Sequence, residues 1–114
     1  MAFSDLELQT IKNIVGTFCQ RRSPPQFKNE LRVVYEVQGH SVSIFEERPH
    51  WRSPGEWTHT AVAKFRYVRS KGTWNLYWMR RDLKWHAYDP ETSRRDLQTL
   101  VSVVDQDKYG AFFG

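Results

Sequence analysis

Residues 76–88 read LYWMRRDLKWHAY, and how this alternation of aromatic and basic side chains is resolved decides the fold. A period of two sorts them. Trp74, Leu76 and Trp78 fall on one face, and Tyr77, Met79 and Arg81 fall on the other. Residues 84–88 alternate again, with Trp85 and Ala87 one way and Lys84, His86 and Tyr88 the other. The stretch therefore reads as two strands joined by a turn. Trp74, Leu76, Trp78, Trp85 and Ala87 are assigned to the core. The opposite face is left basic and aromatic.

Working towards the N-terminus, residues 57–69 form a long strand, followed by a turn at Lys71-Gly72. A two-residue loop sets Phe65 against Trp78, Lys64 against Met79 and Arg66 against Tyr77, which makes Arg66 and Tyr77 a cation–π pair. A slip by one residue would turn Lys64 and Arg66 into the core, so that register is rejected. Upstream, LRVVYEVQ and SVSIFEER alternate around Gly39-His40, a two-residue hairpin loop. This predicts Val37 opposite Val42, Tyr35 opposite Ile44 and Arg32 opposite Glu47. Pro49 and Pro54 bracket a loop that no central strand would accept.

Helices are expected at both ends. Ser4 and Glu7 form a capping box, with Phe3 and Leu8 placed as a hydrophobic staple. Leu8, Ile11, Val15 and Phe18 then recur at helical spacing until Pro24-Pro25 stop them. Near the other end, Ser93 with Asp96 opens a helix carrying Leu97, Leu100, Val101 and Val104. The tail KYGAFFG is too apolar to stay in water and is expected to dock. The order predicts an α+β fold: a five-stranded antiparallel meander with an N-terminal and a C-terminal helix packed on one face, residues 1–114 forming one domain.

Composition sets the outer bounds. The chain has 114 residues, 39% hydrophobic and 15% aromatic, which is globular rather than disordered. A lone cysteine, Cys19, excludes an internal disulfide and fits a reducing compartment. The opening MAFSDLELQT lacks the basic and apolar regions of a signal peptide, and no run reaches the ~18 apolar residues of a membrane span. These features predict a cytoplasmic protein without membrane partners. The net charge of +4 is concentrated: residues 64–84 hold seven bases against one acid. Such a cluster attracts polyanions.

Lys64, Arg66, Tyr77, Arg81, Lys84, His86 and Tyr88 are accordingly the predicted contact surface. A positive track with aromatic faces suits single-stranded nucleic acid or another polyanion. Tyr, Met and Arg equally suit a homodimer or protein partner. A third reading is a small enzyme centred on His86, paired with Asp82 or Glu46. No catalytic residue is assigned. No cofactor is implied: the histidines and Cys19 lack metal-ligand spacing, and there is no glycine-rich phosphate loop.

The strings FEERPHW, AVAKFRYV, WNLYWMRRDLKWHAY and VVDQDKYGAFFG together resemble the domain of unknown function 3024 family across nearly the whole chain. That resemblance implies a small bacterial protein with no assigned activity, and it supplies no site residues. Its strings do single out two strand ends. They raise two expectations: a purely structural corner, or an ion-pair cluster of Glu47 and Asp82 with Arg48 or Arg81 that shapes a pocket near His86.

Overall fold

The computed structural model describes residues 3–27 and 29–113. The chain opens as a continuous helix of three parts: α1 (Asp5–Ile11), a π-helical turn (Lys12–Gly16) and α2 (Thr17–Arg21). The capping box forms as predicted. Ser4 Oγ accepts from the Glu7 N–H at 3.2 Å, and the Glu7 carboxylate accepts from the Ser4 N–H at 2.8 Å. Ile11, Val15, Phe18 and Cys19 are buried, whereas Leu8 is exposed. Phe3 does not staple onto Leu8. It stacks on Trp74 with ring centroids 5.5 Å apart, since an indole offers a ring more apolar area than a leucine on a helix surface.

The sheet is an antiparallel meander in chain order: β1 (Arg32–Gln38), β2 (Ser41–Pro49), β3 (Trp57–Val68), β4 (Thr73–Met79) and β5 (Trp85–Ala87). The β1–β2 register is the predicted one, with Val37 opposite Val42 and Arg32 opposite Glu47. Between β2 and β3 the register shifts. Ile44 faces Ala63 but Phe45 faces Ala61, so Val62 is an extra residue, a β-bulge. Val62 and Ala63 are both buried. Beyond the bulge the parity of β3 therefore reverses, and Trp57, His59 and Ala61 join Lys64 and Arg66 on the face away from the core.

Two strand assignments are corrected. Between β3 and β4, Phe65 lies opposite Leu76, Lys64 opposite Tyr77 and Arg66 opposite Asn75. The strand ends at Val68 because the loop is longer than expected, closed by Lys71 N–H to Val68 C=O at 3.0 Å, with Gly72 left-handed at φ 61°. The change is by two residues, so every side chain keeps its predicted face. Arg66 consequently does not stack on Tyr77. The second correction inverts a face. Met79 lies opposite Trp85, Trp78 opposite His86 and Tyr77 opposite Ala87. Opposed residues share a face, so Trp85 and Ala87 are on the open side and His86 is on the other. The turn that sets this phase closes through Arg80 N–H to Lys84 C=O at 3.2 Å, with Leu83 left-handed at φ 61°.

Ser93 does not start the last helix. Ser93–Arg94 form a short strand β6 on the same edge of β4 as β5. Asp96 is the cap of α3 (Leu97–Gln106), accepting from Gln98 N–H at 3.3 Å and from the Thr99 hydroxyl at 2.9 Å. Serine was the less suitable cap because the strand already used its backbone.

Both helical segments cover one face of the sheet, and Phe18, Leu100, Val104, Ile44, Phe65 and Leu76 meet in a single core. The tail docks as expected. Phe112 packs on Tyr88 at 4.8 Å, and the Asp107 carboxylate accepts from the N–H groups of Phe112 and Phe113 at 3.0 and 2.8 Å. Gly114, the last residue of that tail, lies outside the described residues. Among the described residues no helix is long and apolar enough to cross a membrane.

Candidate functional site

The face of the sheet opposite the helices is covered by no described element. Alternation and the bulge place on it Arg32 and Glu36 from β1, Phe45 and Glu47 from β2, Trp57, His59, Lys64 and Arg66 from β3, Tyr77 and Met79 from β4, and Trp85 from β5. Nothing about a solvated face requires so many large rings. In its middle the small residues Ser41, Ser43 and Ala61 floor a groove of about 320 Å³. Phe45, Met79 and Trp85 stand round it, with Lys64 among them.

Charge divides this face in two. On the β1–β2 side, the His59 ring lies flat on Phe45, centroids 4.0 Å apart, between two carboxylates. Its Nδ1 is 2.9 Å from Glu47 Oε2 and its Nε2 is 3.1 Å from Glu36 Oε2. Arg32 covers the neighbouring Trp57, its guanidinium 3.5 Å from the ring centroid. On the β3–β5 side the open face carries Lys64 and Arg66 and no carboxylate. Neither base is in an ion pair among the described residues, so their charge is uncompensated at contact range.

Of the predicted contact residues, Lys64, Arg66 and Tyr77 are brought together on this face. Arg81 and Lys84 lie exposed on the turn that leads into β5. Tyr88 does not belong: it is only 4% exposed, packed between Trp78 and Phe112. His86 also lies on the wrong side, opposite Trp78, where its Nε2 is 2.8 Å from Asp82 Oδ2. That hydrogen bond holds the Asp82 carboxyl below its ordinary value. Asp82 Oδ1 meanwhile accepts from Lys84 N–H at 3.0 Å, so the pair fixes the turn.

The expected ion-pair cluster does not form. Glu47 turns to His59, Asp82 to His86, and Arg48 to Glu46 at 3.0 Å. Each acid finds a partner on its own or the adjoining strand, within shorter reach than a base across two loops. Sequence reading missed Phe45, Trp57, His59 and Trp85. Phe45 was legible, since it alternates with Ile44. His59 and Trp57 were not, because their face depends on the bulge at Val62. Among the described residues no group of His, Cys, Asp and Glu is placed to hold a metal ion.

Residues 3–114 match the family described as Domain of unknown function (DUF3024). The chain belongs to this family. The match starts at the residue before the capping box and covers the sheet and both helical segments. No curated protein and no solved structure matches the chain.

Proposed function

We propose that the β3–β5 half of the open face binds single-stranded nucleic acid. The observation that carries this reading is the groove between Phe45, Met79 and Trp85 beside the unpaired Lys64. Unstacked bases bind by stacking on such rings, while a track of cations follows the phosphates. Lys64 and Arg66 supply the track on β3, and Arg81 and Lys84 extend it past Trp85. Glu36 and Glu47 repel a polyanion from the β1–β2 half and so confine the strand to one side. Duplex is disfavoured because its bases are already stacked. The same reading places the protein in the bacterial cytoplasm, where a buried Cys19 stays reduced.

The test is anisotropy titration of labelled single-stranded DNA, single-stranded RNA and duplex DNA at two salt concentrations. With four phosphate contacts, affinity for a single strand should fall roughly 50-fold between about 50 and 200 mM salt. Lys64→Ala and Arg66→Ala should each flatten that salt slope. Trp85→Ala should cost roughly tenfold or more with the slope unchanged, as loss of one stacked base does. Absence of binding at the lower salt defeats the proposal.

A further inference from the structure

A groove of about 480 Å³ separates the start of the N-terminal helix from the start of α3, a volume typical of clefts that hold small molecules. Its floor is apolar: Ile11 and Ile14 from the N-terminal helix, Leu97 from α3, and the rings of Tyr67 and Trp74 from β3 and β4. Phe3 stacks on Trp74, and Tyr67 packs on the same indole at 5.0 Å, so both rings are held in place. Leu6 stands on the rim, 81% exposed.

The polar groups of the groove divide into engaged and free. Glu7 accepts from both terminal nitrogens of Arg69 and from the Ser4 N–H, so that acid and that base satisfy each other. Asp96 uses its carboxylate on the first turn of α3, accepting from Gln98 N–H and the Thr99 hydroxyl. What remains is a set of donors. Arg95 is exposed and forms no ion pair or hydrogen bond with a described residue. The Tyr67 hydroxyl has no hydrogen-bond partner among them either. The Trp74 indole N–H is the most telling, because the residue is only 9% exposed and its ring nitrogen also lacks a partner. A buried indole N–H usually finds one. That nitrogen is not a fully enclosed unpartnered atom, and the opening that Trp74 borders is this groove. Strand pairing brings the donors together: Arg94 lies opposite Trp74, and Arg95 follows it directly.

We propose that this groove binds a small aromatic carboxylate, its ring on the apolar floor and its carboxylate held by Arg95 and the Trp74 N–H, with the Tyr67 hydroxyl beside them. A cationic ligand would meet no free acid, since Glu7 and Asp96 are engaged. A neutral hydrocarbon would cover the indole N–H and leave it unpaired, which is costly. Of the two bases lining the groove only Arg95 lacks an acid, and this matches a ligand of single charge. The proposal is independent of the open-face reading, because the groove lies on the helix side of the sheet and uses none of the β3–β5 bases.

The experiment titrates the full chain, ¹⁵N-labelled, with 2-naphthoate at neutral pH, and with 2-naphthalenemethanol and acetate as controls. The naphthoate is expected to bind with Kd below about 1 mM. It should move the Trp74 indole N–H peak furthest of the five, with Trp74→Phe identifying that peak. Trp74→Phe keeps a ring against Phe3 but removes the donor, and should weaken binding roughly threefold or more. Arg95→Ala, at an exposed position that does not threaten folding, should weaken it roughly tenfold or more, because a charge-assisted bond is lost. Arg66→Ala and Trp85→Ala should leave naphthoate affinity unchanged, whatever they do to nucleic-acid binding. No binding at about 1 mM, or equal affinity for the alcohol or for acetate, would each overturn the proposal. So would an unchanged affinity in Arg95→Ala, or peak shifts centred on Trp85.

Discussion

Glu7 makes two kinds of contact at once. It closes the capping box on Ser4, and both its oxygens accept from the Arg69 guanidinium at 3.0 and 3.1 Å. The Arg69 hydrogen bonds, followed by that from Ser4, hold its carboxyl down from 4.5 to about 2. A carboxyl with a depressed folded pKa stabilises the fold above its unfolded value, and that contribution is lost as pH falls through the folded one. Glu7→Gln retains an acceptor for the Ser4 N–H but loses the charge. The variant should therefore melt below the parent at neutral pH, and the gap in Tm should close between pH 4.5 and about 2, followed by circular dichroism. Cys19 is a second residue defined by its surroundings. Burial pushes its thiol up to about 12. Since the thiolate is the reactive form, a disulfide reagent at mild alkaline pH should modify the native protein at least roughly a thousandfold more slowly than the denatured chain. Comparable rates would mean that the helix opens locally.

At the scale of elements, periodicity was a good guide to what forms and a weaker guide to where it begins. The first helix and the β1–β2 hairpin follow from the spacing of Leu31, Val33, Tyr35 and Ile11, Val15, Phe18, whereas Phe3 packs on Trp74 and Leu8, expected on the buried stripe, is exposed. The start of α3 was ambiguous because Ser93 and Asp96 are both good caps, and pairing of Ser93 with Asn75 settles it. Asp96→Ala should destabilise by about 1 kcal/mol in urea unfolding, whereas Ser93→Ala should change little. The reverse order would place the cap at Ser93. The fifth strand shows a harder ambiguity. Trp85 looks like a core residue by hydrophobicity, but the five-residue connection from Met79 sets the phase, and it puts the indole on the open face. Hydrophobicity cannot distinguish an indole that fills a core from one that walls a groove.

For the whole molecule, both ends of the chain close the core over β4. Phe3 stacks on Trp74, and Phe112 packs on Tyr88, which lies against Trp78. Arg22 seals the C-terminal side, its guanidinium 4.0 Å from the Phe113 ring centroid and 3.1 Å from Asp105. Phe112→Ala should cost about 3 kcal/mol in urea unfolding, the lower end for a buried ring because the site is near the surface. Burial holds the Tyr88 phenol above its ordinary value, so the same variant should let it titrate closer to pH 10.0 in an absorbance titration. An unchanged Tyr88 would show that the tail is not what covers it.

The sequence by itself determined the fold class, the helix cap at Ser4, the first hairpin register and the grouping of Lys64, Arg66 and Tyr77 on one face. Each of these rests on local spacing or on a parity that survives a shift of two. Only the tertiary structure decided which way β5 turns, that Tyr88 and His86 leave the contact surface while Trp85 joins it, and that His59 lies between Glu36 and Glu47. Those outcomes depend on one inserted residue at Val62 and one left-handed residue at Leu83. Each sets a strand's parity, and a period of two carries no memory of where it was reset.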